Sequence, residues 1–363
     1  MWSWTKRRKL NLALQGGGAH GDFTWGVLDH LLHDDQIELS WISGSSAGAI
    51  NAIAVAHGLA RGGRQTARDT LDAIWTAVEQ GGVPDLMELN PFLSSFARVG
   101  AMANLNGVFS PYSFNPLGFD PLRKILVEHI DFDAIRANAS VNVMVAATDI
   151  ASGRARLFHG QDLTIDAVLA SACLPTLHHA VTIDGRAYWD GGFSANPDLL
   201  SLASESPVRD TLLVLLNPLS APCVPKTAAS IEDRVKTITF NQPLLRDIDT
   251  IVRAKEARPG WFAPRHTPLA HLKAHRFHLI EAGRHTAGLG ADSKVLPDRE
   301  VLRHLYHAGL IEAERWLSAH KLDVGRRATV SLRKHFIERP ADVAAHAALE
   351  ADTGDAEPLA KSA

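Results

Sequence analysis

Cysteine is nearly missing: only Cys173 and Cys223 occur in 363 residues. Two cysteines cannot build a disulfide framework, and their scarcity suits a reducing compartment, so cytoplasmic residence is the expectation. Long apolar runs are missing as well. No stretch approaches the roughly 20 uninterrupted apolar residues that span a bilayer, which leaves peripheral contact as the expected mode of any membrane association. Met1 to Leu10 carries Lys6, Arg7, Arg8 and Lys9 but passes through a short apolar run straight into glycines, without the apolar region and cleavage site of a signal peptide. An excess of one charge is also lacking. The formal charge is −3 with acidic and basic residues well mixed, so no extended basic face is expected to neutralise a phosphate backbone, and nucleic acid is not expected as a partner. Neither an HExxH helix nor a CxxC pair occurs, and no metal or other cofactor is assigned. What is present, 46% apolar and 21% charged residues, is the composition of a globular protein with one large core or two modest ones.

Apolar periodicity divides the chain into alternating strands and helices. Residues 10–14, Leu-Asn-Leu-Ala-Leu, read as a buried strand, Gly16-Gly17-Gly18 as a turn, and His20 to His33 as an amphipathic helix through Phe23, Val27, Leu28, Leu31 and Leu32. A second such unit follows: a strand over 37–43, Gly44, and a helix of small apolar residues over Ala47 to His57. Further strands are predicted at 141–147, 155–158, around Tyr188, at 211–216 and at 276–280. Helices are predicted near 63–79, 120–129, 164–171, 228–256 and 298–320. Such alternation predicts an α/β fold with a parallel or mixed sheet between helix layers. From Gly81 to Phe119, prolines 84, 91, 111 and 116 interrupt a segment that includes Met87, Leu89, Phe92, Leu93, Phe96, Met102 and Phe109. It reads as an apolar insertion near the site, or as ordinary core. After Pro340 large apolar residues are scarce, and 340–363 reads as a mobile tail.

Gly44-Ser45-Ser46-Ala47-Gly48 matches GxSxG at the join of a predicted strand and a predicted helix. A sharp turn there pushes a serine oxygen into the open and crowds its neighbours, which is why Gly44, Ala47 and Gly48 are small. Taken alone, the same pattern also fits an ordinary turn with a serine capping a helix. Gly16-Gly17-Gly18-Ala19-His20-Gly21 precedes another helix, so its amides form an anion site: an oxyanion hole for acyl transfer, or a nucleotide phosphate loop, since it also satisfies GxGxxG. A dinucleotide site wants an acidic residue at the end of the second strand, but that strand ends Ile42-Ser43-Gly44, and no Gly-Lys-Ser/Thr follows. Asp190-Gly191-Gly192 closes a third probable strand behind Tyr188 and Trp189. Asp190 can serve as a base if burial raises its pKa, although Asp-Gly-Gly by itself is usually a plain turn.

A glycine cluster after the first strand, GxSxG one unit later and a distant Asp-Gly-Gly together resemble the three signatures of patatin-like phospholipases. Ser171-Ala-Cys-Leu-Pro175 and Asn196-Pro197 also resemble that family's sequence around its aspartate. The match extends over about residues 9–200. The resemblance implies a three-layer α/β/α fold with a central, mostly parallel sheet, and residues 201–335 are expected to continue the same domain. It further implies hydrolysis of fatty-acyl esters or phospholipids through a Ser–Asp dyad without histidine. Ser46 would be the nucleophile, Asp190 the base, Gly16, Gly17, Gly18 and Gly21 the oxyanion hole, and Gly44 and Gly48 the elbow. His20 departs from the arginine or lysine more usual there.

Three other readings compete. A Ser-His-Asp hydrolase has eighteen histidines to draw on, His278 and His285 among them, with His179 and Asp184 as a further pair. Ser46, however, follows only two predicted strands, too few for that fold. His57 reads as a helix-surface or packing residue. An acyltransferase using the same dyad remains open, as does a catalytically inactive lipid-binding protein. Trp2 and Trp4 beside Lys6 to Lys9 resemble an interfacial anchor or a disordered start.

Overall fold

Side chains alternate across a strand, and in β1 (Arg8–Leu14) that alternation sends Leu10, Leu12 and Leu14 into one apolar core and Ala13 into another. β7 (Asp210–Leu215) repeats the division, with Leu212 and Val214 on the first side and Leu213 and Leu215 on the second. A sheet buried on both faces needs a helix layer on each. The computed structural model supplies them and describes residues 7–81, 110–138, 140–221, 223–257, 267–286 and 299–338.

The principal helices are α1 (Gly21–His33), α2 (Ala47–Arg61), α3 (Arg64–Gly81), α4 (Pro121–His129), α5 (Ile165–Ser171), α6 (Leu199–Glu205), α7 (Ala228–Glu256), α8 (Pro268–Ala274) and α9 (Arg299–His320). The first core takes Phe23 and Leu28 of α1, Ile53 of α2, Ile74 of α3 and Leu305 of α9. The second takes Leu202 of α6, Leu244, Ile248 and Ile251 of α7, and Leu272 of α8. α1 and α9 cross closely because Gly26 leaves no side chain to strike the Tyr306 carbonyl, and Gly309 none to strike that of Phe23.

The remaining strands are β2 (Ile37–Gly44), β3 (Asn142–Asp149), β4 (Ala155–His159), β5 (Val181–Ile183), β6 (Arg186–Asp190) and β8 (Arg276–Glu281). The sheet runs β5-β6-β3-β2-β1-β7-β8, with β4 on β3 off this path. β1, β2, β3, β7 and β8 are parallel, β4 and β6 run antiparallel to β3, and β5 antiparallel to β6. The fold is the three-layer α/β/α arrangement with a mostly parallel sheet. β7 pairs directly with β1, so chain beyond residue 200 completes the sheet begun at residue 8. β5, three residues long, has too few residues for a period-2 signal and was not legible in the sequence.

β3 decides where the site forms. Its residues 144–148 pair with β4 on one edge. The other edge is shared: β2 occupies it up to Gly44↔Val145, and β6 occupies it from Tyr188↔Asp149 down to Asp190↔Ala147. Because β6 is antiparallel, β2 and β6 point their C-terminal ends at each other along one edge. The gap is two residues of β3, about 7 Å at strand rise.

Residues 1–6, with Trp2, Trp4 and Lys6, most of the apolar insertion (82–109, including Met87 through Phe109) and the 340–363 tail lie outside the described residues. Among the described residues no helix is long and apolar enough to cross a membrane.

Candidate active site

Two residues beyond β2, Ser46 sits at φ 53 and ψ −124, on the left-handed side that non-glycine residues avoid. Such a conformation costs about 1–3 kcal/mol and persists only where its surroundings impose it. Here they do: the Ser46 N–H donates to Ser171 Oγ at 2.9 Å, the Gly48 N–H to the Ser45 carbonyl at 2.9 Å, and the Ala49 and Ile50 N–H groups to the Ser46 carbonyl. Although Ser46 occupies the N-cap of α2, its side chain makes no capping bond. Its hydroxyl is therefore not the capping oxygen that the simpler reading of the motif offered. The elbow glycines act through space. A side chain on Gly44 would strike the Gly48 carbonyl, and one on Gly48 the carbonyl of Leu14, so both let α2 start directly against the ends of β1 and β2.

Asp190 ends β6 with no exposed surface. Its backbone is held from both sides, N–H to the Cys173 carbonyl at 2.8 Å and C=O from Thr148 Oγ1 at 2.7 Å. Oδ1 accepts the Gly192 N–H at 2.7 Å. Oδ2 meets no donor at full hydrogen-bond geometry, yet the Ser46 hydroxyl is near enough to act on the carboxyl. Burial drives the Asp190 pKa from 3.8 up to about 7, against the opposing pull of the Gly192 N–H and the Ser46 hydroxyl. No cation offsets that burial among the described residues.

The glycine loop completes the convergence. A Cβ on Gly16 would lie 2.7 Å from the Ser45 carbonyl and 2.8 Å from Ser46 Cβ, so this loop rests on the elbow itself. Four glycines were assigned to the oxyanion hole, and the N–H groups of two of them have partners within the protein. The Gly16 N–H is taken by Asn196 Oδ1 at 2.8 Å, and the Gly21 N–H by the Gly18 and Ala19 carbonyls. Gly16 thus provides clearance, as does Gly21, whose absent side chain makes room for Trp75 and Ala47. The Gly17 and Gly18 N–H groups have no acceptor among the described residues. Gly18 has φ 57, which glycine adopts without strain.

Sequence reasoning missed the residues that hold these parts together. Ser171 and Cys173 bind Ser46 and Asp190 through one short segment, and Ser45 Oγ donates to the Ala195 carbonyl at 2.5 Å. Asn196 ties the glycine loop to α7, its Nδ2 donating to the Phe240 carbonyl at 3.0 Å. Beneath the loop, buried Gln15 accepts from the Leu216 and Asn217 N–H groups and donates to Asn241. Ser171 and Asn196 carried a signal only through family resemblance; Gln15 carried none.

Of the histidines considered as bases, His57, His179 and His285 have partners away from Ser46. His57 Nδ1 accepts the Asp131 N–H at 2.9 Å, His285 meets Glu312, and His179 stacks on Tyr112 while Asp184 faces Arg156. His20 is buried within the glycine loop. His278 does pair with a carboxylate, Asp210, at 3.2 Å, but its partner in β7 is Leu212 and β7 lies two strands from β2. Asp210 also accepts from Arg276 and from the Gly325 N–H. Burial alone would raise its pKa, but these donors outweigh it and hold the carboxyl well below the usual range. The lowered pKa makes this clamp stabilising above the unfolded carboxylate value and loses it as pH falls through the folded one. Asp210→Ala is expected to destabilise the fold by about 3–5 kcal/mol in denaturant titration while leaving any turnover by the folded protein unchanged; a selective loss of turnover would instead place Asp210 in the chemistry.

A cavity of about 250 Å³ is lined by Phe119, Asp120, Arg123, Asp166, His178 and His179 among others, and neither Ser46 nor Asp190 borders it. Among the described residues no three His, Cys, Asp or Glu side chains are grouped to hold a metal ion.

The family model for patatin-like phospholipase matches residues 12–203, more than half of the chain. The chain belongs to the patatin-like phospholipase family. Among solved structures it is similar to VipD from Legionella pneumophila, at 15% identity and a TM-score of 0.45, over 94% of this chain and 74% of that one. No curated protein matched the sequence. Membership places the chain among lipid hydrolases, and the matched span contains the glycine loop, the elbow and Asp190.

Proposed function

We propose that this patatin-like protein is a serine acyl hydrolase that cleaves carboxylic esters of fatty-acyl lipids, with Ser46 as nucleophile and Asp190 as its base. One observation carries the reading: the fully buried Asp190 carboxyl, raised by burial to a pKa of about 7 with no cation against it among the described residues, lies near the Ser46 hydroxyl, which makes no capping bond to α2. A base is most effective when its pKa lies near the working pH. An aspartate at its ordinary value would hold a serine proton too weakly.

In the forward step Asp190 accepts the Ser46 proton as Oγ bonds to the acyl carbon, and the carbonyl oxygen becomes an oxyanion held by the Gly17 and Gly18 amides. The positive end of α2, which begins at Ala47, adds to the stabilisation of negative charge there. Collapse breaks the ester bond, and the leaving alcohol takes the proton from Asp190. Water then attacks the acyl-Ser46 ester with Asp190 again as base, releasing the fatty acid and restoring the serine. The test is a fluorophosphonate, whose phosphorus is attacked as an acyl carbon would be. Peptide mass spectrometry is expected to find the adduct on Ser46, with loss of phosphatidylcholine hydrolysis in proportion. Adduct formation elsewhere, or labelling without inhibition, would remove Ser46 from the role.

A further inference from the structure

α7 changes character at its middle. From Asn241 onward it buries Leu244, Ile248 and Ile251 in the second core. From Ala228 to Phe240 not one residue is buried, and Ile231, Val235 and Ile238 are 46%, 56% and 42% exposed. Spacings of four and three put these β-branched side chains on one stripe. Local bonds support this half of the helix. Thr227 and Ser230 form a capping box, Lys236 pairs with Glu232 one turn earlier, and the Thr237 and Thr239 hydroxyls bond back to the Asp233 and Val235 carbonyls. Pro243 stands where the buried half begins.

The stripe leads out from the site. Phe240 packs on Phe193 with ring centroids 4.8 Å apart and fills the space beside Gly192, whose N–H binds Asp190. Ile231 stands nine residues further out, about 13 Å along the axis. A second protein is a poor match for so narrow a stripe, because stable interfaces use roughly 20–30 residues a side. Insertion of an aliphatic stripe into a lipid surface has no such minimum and scales with apolar area. Lys226, Arg234 and Lys236 nearly balance Glu232 and Asp233 in the sequence around it, so no anionic lipid is required.

Resting on the lipid-ester reading above, we infer that Ile231, Val235 and Ile238 seat the protein on a zwitterionic lipid surface, with α7 leading from that surface to Asp190. The test compares the full-length protein with Ile231→Gln/Val235→Gln/Ile238→Gln, glutamine being a good helix former. Co-sedimentation with phosphatidylcholine vesicles, hydrolysis of vesicle lipid and hydrolysis of monomeric p-nitrophenyl butyrate are measured, with circular dichroism to confirm the fold. Partitioning and vesicle-lipid hydrolysis are expected to fall about 10-fold or more, with butyrate turnover held within about twofold. Equal sedimentation of both proteins, or no sedimentation of the wild type, overturns the inference. So does size-exclusion chromatography showing that the substitutions only split a dimer. If neither ester is cleaved but the sedimentation difference stands, the catalytic reading fails and the docking surface survives.

Discussion

Ser46→Ala is expected to leave a folded protein whose ester hydrolysis has dropped by about 10⁴–10⁶-fold, the scale seen when a serine nucleophile is removed. The fold survives because the hydroxyl caps nothing: Ser46 makes no side-chain bond to α2. Alanine also inherits the φ of 53, so the backbone strain stays. Ser46→Gly relieves that strain and is expected to be more stable than Ser46→Ala by about 1 kcal/mol, at equal inactivity. Melting temperatures and p-nitrophenyl ester assays on the pair check both halves. Retained turnover in either variant would transfer the chemistry to another group.

The second large effect concerns pH. If Asp190 must be ionised to accept the serine proton, kcat/KM rises with pH through about 7 and then levels. Asp190→Asn is expected to lower turnover by at least about 10³-fold and to erase that limb. Stability moves in the opposite direction. A buried carboxyl whose folded pKa is raised binds its proton more tightly folded than unfolded, so stability is full below the unfolded value of 3.8 and declines as pH rises toward about 7. Above about pH 8 the ionised group costs the fold up to about 4 kcal/mol. Asp190→Asn carries no such cost, so denaturant titrations at acid and alkaline pH are expected to show the variant gaining on the wild type as pH rises. A constant difference between them would mean that Asp190 is ionised at little cost and lacks a raised pKa.

These effects share one physical origin. Among the described residues no cation lies against this buried acid, and the serine is held at a costly φ; under the proposed mechanism, local stability is lost where reactivity is needed. The scaffold offsets both through groups with no part in bond making: Ser171, Cys173, Thr148 and Asn196 fix the backbones of the elbow, the acid and the glycine loop.

Sequence alone determined the pieces whose cause is local. Alternation and helical spacing placed β1, β2, β3, β7 and β8 and the major helices, because a face to be buried must be apolar at the period of its element. GxSxG, the glycine loop and Asp-Gly-Gly were legible because sharp turns and close approaches exclude side chains, and the residues crowded out leave glycine behind. Only tertiary structure decided what each atom is free to do. Whether a glycine N–H donates to substrate or to Asn196 depends on a residue 180 positions away, and one-dimensional pattern does not contain that pairing. The meeting of Ser46 and Asp190 depends on two strands ending toward each other along one edge of β3. The near-neutral acid follows in turn from that burial, because the energy of an ion is set by everything packed around it.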